Sequence, residues 1–417
     1  MDETRVVTVF LRNGADVLLL RRSDDVGSYS GLWGTVAGHA EGAPDAQAIA
    51  EIREETGIRE DAVTFVRRGE RFRVADGDLA TEWVVTPYLF DVDHREIESN
   101  YETAAVAWVP PTEILRRDTV PDLWTSYSRV APTVDTVRED DEHGSAYISI
   151  RALEVLRDAA AEAIERDVDT WSNLAEMAVE LLDARPAMAA VQNRVNRALS
   201  VAAPTESPAA LEDAATDAIE ASLAADEAAS AAAADLIDGD DVFTLSRSGT
   251  VLDALVEGGP ERVSVAESRP GGEGVGVAET LAGAGIEVTL TSDANVPGAV
   301  RDATTCLIGA DTVLPNGAIV NKVGSRAAGL AARDAGVSFY AAAASDKISP
   351  TDAVSLPEGD SPSLYDGPAD LAVENPVFEH LPSRLLDGVV TEAGLLDSDQ
   401  IAALASVHST RARWREE

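Results

Sequence analysis

From Asp240 onward, short apolar runs alternate with amphipathic helical runs. The apolar runs are VFTLS, RVSVAES, IEVTLTSD, TTCLIGAD and VSFYAAAASDK. Strands that alternate with helices predict βαβ units, which build a parallel sheet with helices on both faces. The pattern therefore predicts a Rossmann-like domain over 237–405, and in such a sheet ligands bind beyond the carboxyl ends of the strands.

Charged and polar side chains stand at those predicted strand ends. They are Ser246, Arg269, Asp293, Asp311 and Lys347, with Asn321 and Lys322 in the loop predicted after the fourth strand. Cations suit a phosphate, and a carboxylate suits sugar hydroxyls or proton transfer. We therefore expect these groups to form a crevice for a sugar phosphate or a nucleotide.

Lys322 and Lys347 are the two lysines of the chain, whose other 31 basic residues are arginine. An ammonium approaches a phosphate as a compact point charge, whereas the planar guanidinium requires bidentate geometry. Both lysines are therefore expected in the crevice. The alternative is that both simply remain in solvent. For Arg269 and Asp311 the alternative is a capping ion pair, and Cys306, which lies among apolar residues, is expected to be a buried structural thiol.

The first 130 residues show a different pattern. Residues 5–21 read as two strands around an Asn-Gly turn, and a helix is expected from Asp45 to Thr56, with Gly57 as its C′ residue. Further strand-like runs complete a mixed α/β domain over 1–130. Residues 131–143 lack periodicity and are predicted to be a linker, and the Ala/Glu/Leu-rich segment 144–236 is predicted to be a helical bundle.

Three carboxylates share one face of the predicted helix 48–58. Glu51, Glu54 and Glu55 stand at i, i+3 and i+4. Such carboxylates repel one another unless a divalent cation neutralises them, and oxygen ligands suit Mg²⁺ or Mn²⁺. The alternative is a solvated acidic face.

The charge balance limits the partners of the chain. The 74 acidic and 33 basic residues give a net charge of −41, which destabilises a compact chain unless salt screens it. We therefore expect a halophilic, cytoplasmic protein with no direct contact to nucleic acid or membrane. A single cysteine excludes a disulfide framework. No apolar run of eighteen residues and no signal-peptide pattern is present.

The stretch GLWGTVAGHAEG, the helix and the segment EETGI together resemble the Nudix hydrolase signature. Gly38, Glu51, Glu54, Glu55 and Gly57 match its core, and Glu102 in NYETAAVAWVP is a further candidate base or ligand. The box departs from the pattern at Ala50, where an arginine is usual, and near Ala43, where a glutamate is usual. The resemblance implies an α/β/α sandwich and hydrolysis of a nucleoside diphosphate derivative with Mg²⁺ (or Mn²⁺).

Six segments between 138 and 405 resemble the translation initiation factor 2B α/β/δ-subunit family, which also contains ribose-1,5-bisphosphate isomerase and methylthioribose-1-phosphate isomerase. The segments are RPAMAAVQNRV, FTLSRSGTVLDAL, ESRPGGEG, IGADTVLPNGAIVNKVGS, NPVFEHLP and VVTEAGLL. The resemblance implies a helical part followed by a Rossmann-like part, at least a homodimer, and a phosphosugar or nucleotide in the crevice.

The same resemblance assigns roles to individual residues. Arg185, Arg269, Asn321, Lys322 and Lys347 are the expected ligand-binding residues. Asp311 matches the catalytic aspartate of the isomerases, and Ser246 stands where those enzymes have a cysteine. Because a hydroxyl is a far weaker acid than a thiol, binding without isomerisation is favoured. An isomerase and a non-catalytic subunit with a translation initiation factor partner stay as alternatives.

Overall fold

The computed structural model describes residues 2–40, 42–166, 171–354, 356 and 359–415. These residues form two compact units. The first comprises the described residues up to Thr133 together with 154–166, and the second comprises 134–153 and the residues from Trp171 onward. None of the described helices combines the length and the apolarity needed to cross a bilayer.

An eight-stranded mixed sheet organises the first unit. Its elements are β1 (Asp2–Asn13), β2 (Asp16–Arg22), β3 (Trp33–Gly34), β4 (Val36–His39), α1 (Pro44–Thr56), β5 (Val63–Arg68), β6 (Phe72–Asp76), β7 (Thr81–Val92), β8 (Thr103–Val109) and α2 (Leu123–Ser128). The central order is β3-β2-β1-β7-β5, while β4 also pairs with β1, β6 with β7 and β8 with β2. The β1–β7 pair is parallel and the other pairs are antiparallel.

The predicted hairpin and helix of this unit are both present. Asn13 pairs with Asp16 across a tight turn, and Gly14 has a φ of 63°, a value that glycine adopts without strain. Helix α1 begins one residue before the predicted start. Its C-cap Gly57 has a φ of 72°, and the Gly57 N–H donates to the Arg53 carbonyl.

Alternation along the strands of this sheet creates two apolar cores. Val9 and Leu11 share one core with Ile52 of α1. Phe10 points to the opposite face and shares the other core with Tyr127 of α2. Successive side chains of a strand point to opposite faces, so one strand supplies both cores. The result is the predicted α/β/α sandwich.

The helices that follow α2 along the chain, up to Ala234, differ from two predicted boundaries. They are α3 (Val134–Glu139), α4 (Ser145–Glu165), α5 (Trp171–Ala184), α6 (Ala189–Ala202) and α7 (Pro208–Ala234). The predicted linker 131–143 is wrong in its centre, because α3 occupies it and buries Val137. The Arg185 guanidinium donates to the Val137 carbonyl at 2.8 Å and ties this helix to the second unit.

The helical segment 144–236 was predicted to belong wholly to the C-terminal domain, but the second half of α4 belongs to the first unit. Polar contacts explain this assignment. Arg12 pairs with Glu154 at 3.5 Å, and the buried Arg157 guanidinium donates to the Ala15 carbonyl at 3.2 Å. Contacts between charged side chains are not visible in a sequence, so the division of α4 between the two units was not predicted.

A seven-stranded sheet forms the centre of the second unit. Its elements are β9 (Asp241–Leu245), α8 (Gly249–Glu257), β10 (Arg262–Ala266), α9 (Glu273–Gly283), β11 (Glu287–Thr291), α10 (Val296–Arg301), β12 (Thr305–Gly309), β13 (Thr312–Val313), β14 (Ile319–Lys322), α11 (Ser325–Ala335), β15 (Ser338–Ala342), α12 (Ser361–Leu364), β16 (Phe378–Leu381), β17 (Gly388–Thr391), β18 (Gly394–Leu396) and α13 (Ser398–Arg411). The order is β11-β10-β9-β12-β15-β17-β18. The strands are parallel except β18.

All five apolar runs named from the sequence form strands of this parallel sheet, and apolar residues pack on both of its faces. The fold class predicted from the sequence is confirmed. Strands β13, β14 and β16 form a separate antiparallel sheet. Asn321 and Lys322 lie on β14, so their predicted place in a loop is wrong. The strand order reverses between β9 and β12, and in open α/β sheets ligands generally bind beyond the carboxyl ends of the strands at such a point.

Candidate functional sites

The two lysines lie buried near the carboxyl ends of the parallel strands. Lys322 is 2% exposed, and its ammonium lies 2.7 Å from Glu273 Oε1. Lys347 is 6% exposed and belongs to a 3₁₀ turn, Ser345–Lys347, that follows β15. Within the described part of the chain, no acceptor lies within hydrogen-bond or ion-pair distance of the Lys347 ammonium. The expectation that these lysines avoid solvent is met.

Helix α6 holds the turn that carries Lys347. The Asn193 side-chain amide donates to the carbonyls of Asp346 and Ile348, both at 2.8 Å. The fully buried Arg194 lies 3.1 Å from Asp346 Oδ2, and Arg197 also pairs with Asp346. The segment RPAMAAVQNRV contained this signal, because Asn193 and Arg194 are polar residues at buried helical positions.

Asp311 follows β12 and lies half-buried beside the lysines. Burial raises the pKa of the Asp311 carboxyl, the charges of Lys347 and Lys322 oppose this shift, and Glu273 adds to it. Burial lowers the pKa of Lys347, and Asp311 opposes this shift. The two pKa values thus move toward each other, which suits a pair that exchanges a proton with a ligand.

Ser246 stands directly after β9, in a turn with unusual backbone geometry. Its φ is 64°, and that of Ser268, after β10, is 65°. The Ser246 N–H donates to Ser268 Oγ at 2.7 Å, and the Ser268 N–H donates to Asp293 Oδ1 at 2.8 Å. Left-handed conformations cost energy outside glycine and often mark functional turns. The Asp293 side chain therefore holds the turn at Ser268, and Ser268 in turn binds the backbone of Ser246.

Three predicted binding residues have other contacts in the structure. The exposed Arg269 guanidinium pairs with Glu267 at 3.1 Å. Asn321 donates to Ser325 Oγ at 3.0 Å, and Arg185 donates to the carbonyls of Val137 and Asp140. The structure therefore brings together Asp311, Lys322 and Lys347 with Glu273, a residue that the sequence analysis missed. These residues meet only because α9 begins beside β14.

Cys306 is fully buried in β12, as the sequence analysis expected. Burial raises the pKa of its thiol to about 12. A thiol with this pKa carries almost no thiolate near neutral pH, and the thiolate is the nucleophile. Cys306 therefore packs the sheet and does not supply the chemistry that a cysteine has in the isomerases.

The first unit gathers carboxylates between α1 and β4. Glu55 is 8% exposed, and its Oε1 accepts from the Ala37 N–H at 2.8 Å. Burial raises the pKa of Glu55 to about 8, with further contributions from Glu51 and Glu102. Burial also raises the pKa of Glu51, and the charges of Glu54 and Glu102 add to it. Glu102, though distant in sequence, therefore lies near both.

These carboxylates meet one test of a divalent-cation site and miss another. Their oxygens are the donors that Mg²⁺ and Mn²⁺ prefer, and a cation would offset the cost of burying their charge, which is the main cause of their raised pKa values. Gly38 allows the close approach, because a Cβ there would lie 1.8 Å from Glu51 Oε1. Glu54, however, is exposed, and no group of three possible ligands converges among the described residues. The donor chemistry thus fits a cation that draws these side chains together.

The comparisons with known proteins match each part of the chain to a family model. Residues 141–398 match the initiation factor 2 subunit family. The chain belongs to this family. Residues 2–130 match the NUDIX domain, so the family domain follows an N-terminal NUDIX domain.

Similar proteins extend over most of the initiation factor 2 subunit family domain. Ribose 1,5-bisphosphate isomerase of Methanocaldococcus jannaschii is 27% identical over 280 residues, which cover 64% of this chain and 91% of that protein. Ribose 1,5-bisphosphate isomerase of Haloferax volcanii is 30% identical over 66% of this chain and 90% of its own length. The solved structure of translation initiation factor eIF-2B from Pyrococcus horikoshii has a TM-score of 0.56 and 26% identity, covering 63% of this chain and 94% of that chain.

Proposed function

We propose that the crevice of the second unit binds a phosphorylated ribose or a ribonucleotide. The observation that carries this proposal is the Lys347 ammonium, which is 6% exposed and has no carboxylate within ion-pair distance in the described part of the chain, although the charge of Asp311 acts on it. A buried charge is costly unless it is paired. Because α6 holds the turn through the Asn193 hydrogen bonds, a ligand phosphate could supply the direct ion pair that Lys347 lacks, and a phosphate fits a compact ammonium.

The residues around Lys347 suit the rest of such a ligand. Lys322 offers a second ammonium once Glu273 is displaced, and the Asp311 carboxylate can accept a hydrogen bond from a ribose hydroxyl. The site is close to neutral before binding, because two ammonium groups face two carboxylates. A phosphate dianion therefore competes directly with Glu273 for Lys322.

Aldose–ketose isomerisation is a second reaction that this crevice could perform. The similar ribose 1,5-bisphosphate isomerases and the raised pKa of Asp311 favour it. Asp311 would move a proton at the ligand, while Ser246 would be a weak acid in the second position. Conversion of ribose 1,5-bisphosphate that is abolished in Asp311→Asn supports this reaction. The absence of conversion at high protein concentration leaves a binding role, as in a regulatory subunit that docks on a translation initiation factor.

For the first unit we propose hydrolysis of a nucleoside diphosphate derivative. The placement of Glu51 and Glu55 against β4 carries this proposal, because Glu55 accepts from the Ala37 N–H at 2.8 Å and the Glu51 carboxylate lies against Gly38. Glu51, Glu54 and Glu55 would hold Mg²⁺ (or Mn²⁺), and Glu102 would position or deprotonate water. The cation, when bound, would shield the phosphate charge. Turnover that is unchanged in both Glu54→Gln and Glu55→Gln contradicts this assignment.

A ligand screen tests the crevice directly. Thermal unfolding of the full chain in high salt is measured with ribose 1,5-bisphosphate, ribose 5-phosphate, AMP and GTP. A ligand at 100 times its dissociation constant adds about 2.7 kcal/mol of stability. Stabilisation that disappears in Lys347→Met supports the proposal, and stabilisation that persists in this variant contradicts it.

Assembly is the remaining part of the proposal. By its resemblance to its family, the protein is proposed to form at least a homodimer through the second unit. Light scattering of the purified protein in molar KCl measures this mass. Isolation of the protein from native extract together with initiation factor 2 or another family member would favour the regulatory role.

A further inference from the structure

Three aromatic side chains cluster beside the carboxylates of the first unit. The rings of Tyr29 and Trp83 lie 6.4 Å apart, and those of His39 and Trp83 lie 6.2 Å apart. His39 ends β4 and directly follows Gly38, where a Cβ would lie 1.8 Å from Glu51 Oε1. The aromatic cluster Tyr29–Trp83–His39 therefore borders the proposed pyrophosphate site.

Hydrogen bonds fix this aromatic cluster. The Trp83 indole N–H donates to the Tyr29 hydroxyl at 3.0 Å, and the Tyr29 hydroxyl donates to Asp76 Oδ2 at 2.6 Å. Burial and the bond to Asp76 raise the pKa of Tyr29 to about 12, so the hydroxyl stays a donor. The polar atoms of both rings are thus occupied, while both side chains stay partly exposed.

Packing of the apolar cores does not account for Trp83. Among the described tryptophans of the first unit, Trp33 and Trp124 pack against one core and Trp108 against the other. Trp83 belongs to neither core and stays partly exposed. An aromatic ring that is held by a hydrogen-bond chain but not used in a core is available to a ligand.

We propose that the aromatic cluster Tyr29–Trp83–His39 stacks against the nucleobase of the nucleoside diphosphate derivative whose pyrophosphate lies at Glu51 and Glu55. This inference rests on the proposed hydrolase function and names the part of the substrate that the unit recognises. Stacking uses the π-face that every base has, and the ring edges are already bonded, so discrimination among bases is weak. Loss of the stacking partner weakens binding by about 10- to 100-fold.

The test measures binding without turnover. The full chain carries Lys347→Met, so that the crevice does not contribute, and it is titrated with ADP in the absence of divalent cations. Ribose 5-phosphate, which lacks a base, is the matched ligand. Binding is measured by equilibrium dialysis, and tryptophan emission is measured in parallel.

The proposal expects ADP to bind and to quench emission, with an affinity that falls about 10- to 100-fold in Trp83→Ala and largely recovers in Trp83→Phe. The matched control Trp108→Phe retains both the affinity and the quenching. In this Lys347→Met protein, an ADP affinity that is the same with and without Trp83→Ala overturns the proposal. Equal affinity for ADP and for ribose 5-phosphate, in a protein whose unfolding midpoint is unchanged, also overturns it.

Hydrolysis assays separate the two ideas. Turnover of a nucleoside diphosphate derivative whose KM is the same in Trp83→Ala and wild type retires the aromatic site and leaves the hydrolase function standing. ADP binding that depends on Trp83 in a protein without any turnover supports the aromatic site and retires the hydrolase function.

Discussion

At the scale of single residues, the two lysines differ in one decisive way. Lys322 has the Glu273 carboxylate at 2.7 Å, while no carboxylate of the described residues lies within ion-pair distance of the Lys347 ammonium. Sequence reasoning placed both in one crevice but could not distinguish them, because pairing depends on where α9 begins. Their substitutions are therefore expected to have opposite effects.

Lys347→Met is expected to raise the stability of the ligand-free protein by about 1–3 kcal/mol, because the cost of burying this ammonium outweighs the attraction of Asp311. Lys322→Met, the matched control, is expected to lower stability by about 1–3 kcal/mol, because it leaves Glu273 without its partner. Urea unfolding of both variants measures this difference. A loss of stability in Lys347→Met would show that the ammonium has a partner in solution.

Glu55 predicts a pH dependence of stability. Its folded pKa of about 8 is above the ordinary carboxyl value, so between those two values the folded state holds a proton that the unfolded state has released. Stability from this group is therefore present at low pH and is lost as the pH rises toward 8, with a slope of at most about 1.4 kcal/mol per unit. Glu55→Gln should flatten this slope.

Divalent cations provide a second arm of the same experiment. Mg²⁺ favours the ionised Glu55, so it should reverse the loss of stability between pH 6 and pH 8 at constant ionic strength. Urea unfolding at several pH values measures both effects. Exposed Glu54 gives the control, since Glu54→Gln should keep the wild-type slope without cation. A slope that is identical in Glu55→Gln and wild type would contradict the buried, protonated carboxyl.

At the scale of elements, α6 and the turn 345–347 act together. Asp346→Asn weakens the bonds of this turn to the buried Arg194 and should cost roughly 3 kcal/mol. It should also reduce ligand-induced stabilisation, because Lys347 loses its fixed position. The control Asp226→Asn removes the other carboxylate that pairs with Arg194. It leaves the hydrogen bonds from Asn193 to the turn in place.

Hydrogen exchange locates the effect of these two variants. Amides of 345–348 should exchange faster in Asp346→Asn than in Asp226→Asn. If the amides of 345–348 are equally protected from exchange in both variants, and both variants bind the ligand equally well, then α6 does not position Lys347. Unfolding in urea then decides how much of the change is general stability.

The strands that alternate with helices were predictable, while the small antiparallel sheet was not. Strands β12 and β15 are rich in consecutive apolar residues, as is typical of a doubly covered parallel sheet. Strand β14 carries Asn321 and Lys322 beside only two apolar residues. Its partner β13 lies nearby in the chain, but its other partner, β16, lies far from it in sequence. Short strands of this kind are stabilised by distant pairing, so their local sequence resembles a loop.

At the scale of the whole molecule, the net charge of −41 predicts a stability that depends on salt. Screening shortens the range of repulsion from about 10 Å at 0.1 M to about 3 Å at 1 M salt. The unfolding midpoint should therefore rise steeply up to about 1 M KCl. NaCl at the same ionic strength should act alike, whereas sucrose should not reproduce this dependence on ionic strength. A midpoint that stays constant over this range would contradict a dominant role of self-repulsion.

The sequence alone determined the two fold classes, the predicted helix and hairpin of the first unit, and the positions of Asp311, Lys322 and Lys347 near one sheet edge. These features follow from periodicity and from residue types at strand ends, which are local properties. Tertiary structure alone decided that Glu273 pairs with Lys322, that α6 holds Lys347, and that half of α4 packs with the first unit. Such contacts join residues far apart in the chain, and burial and charge select them only once the backbone has brought the side chains together.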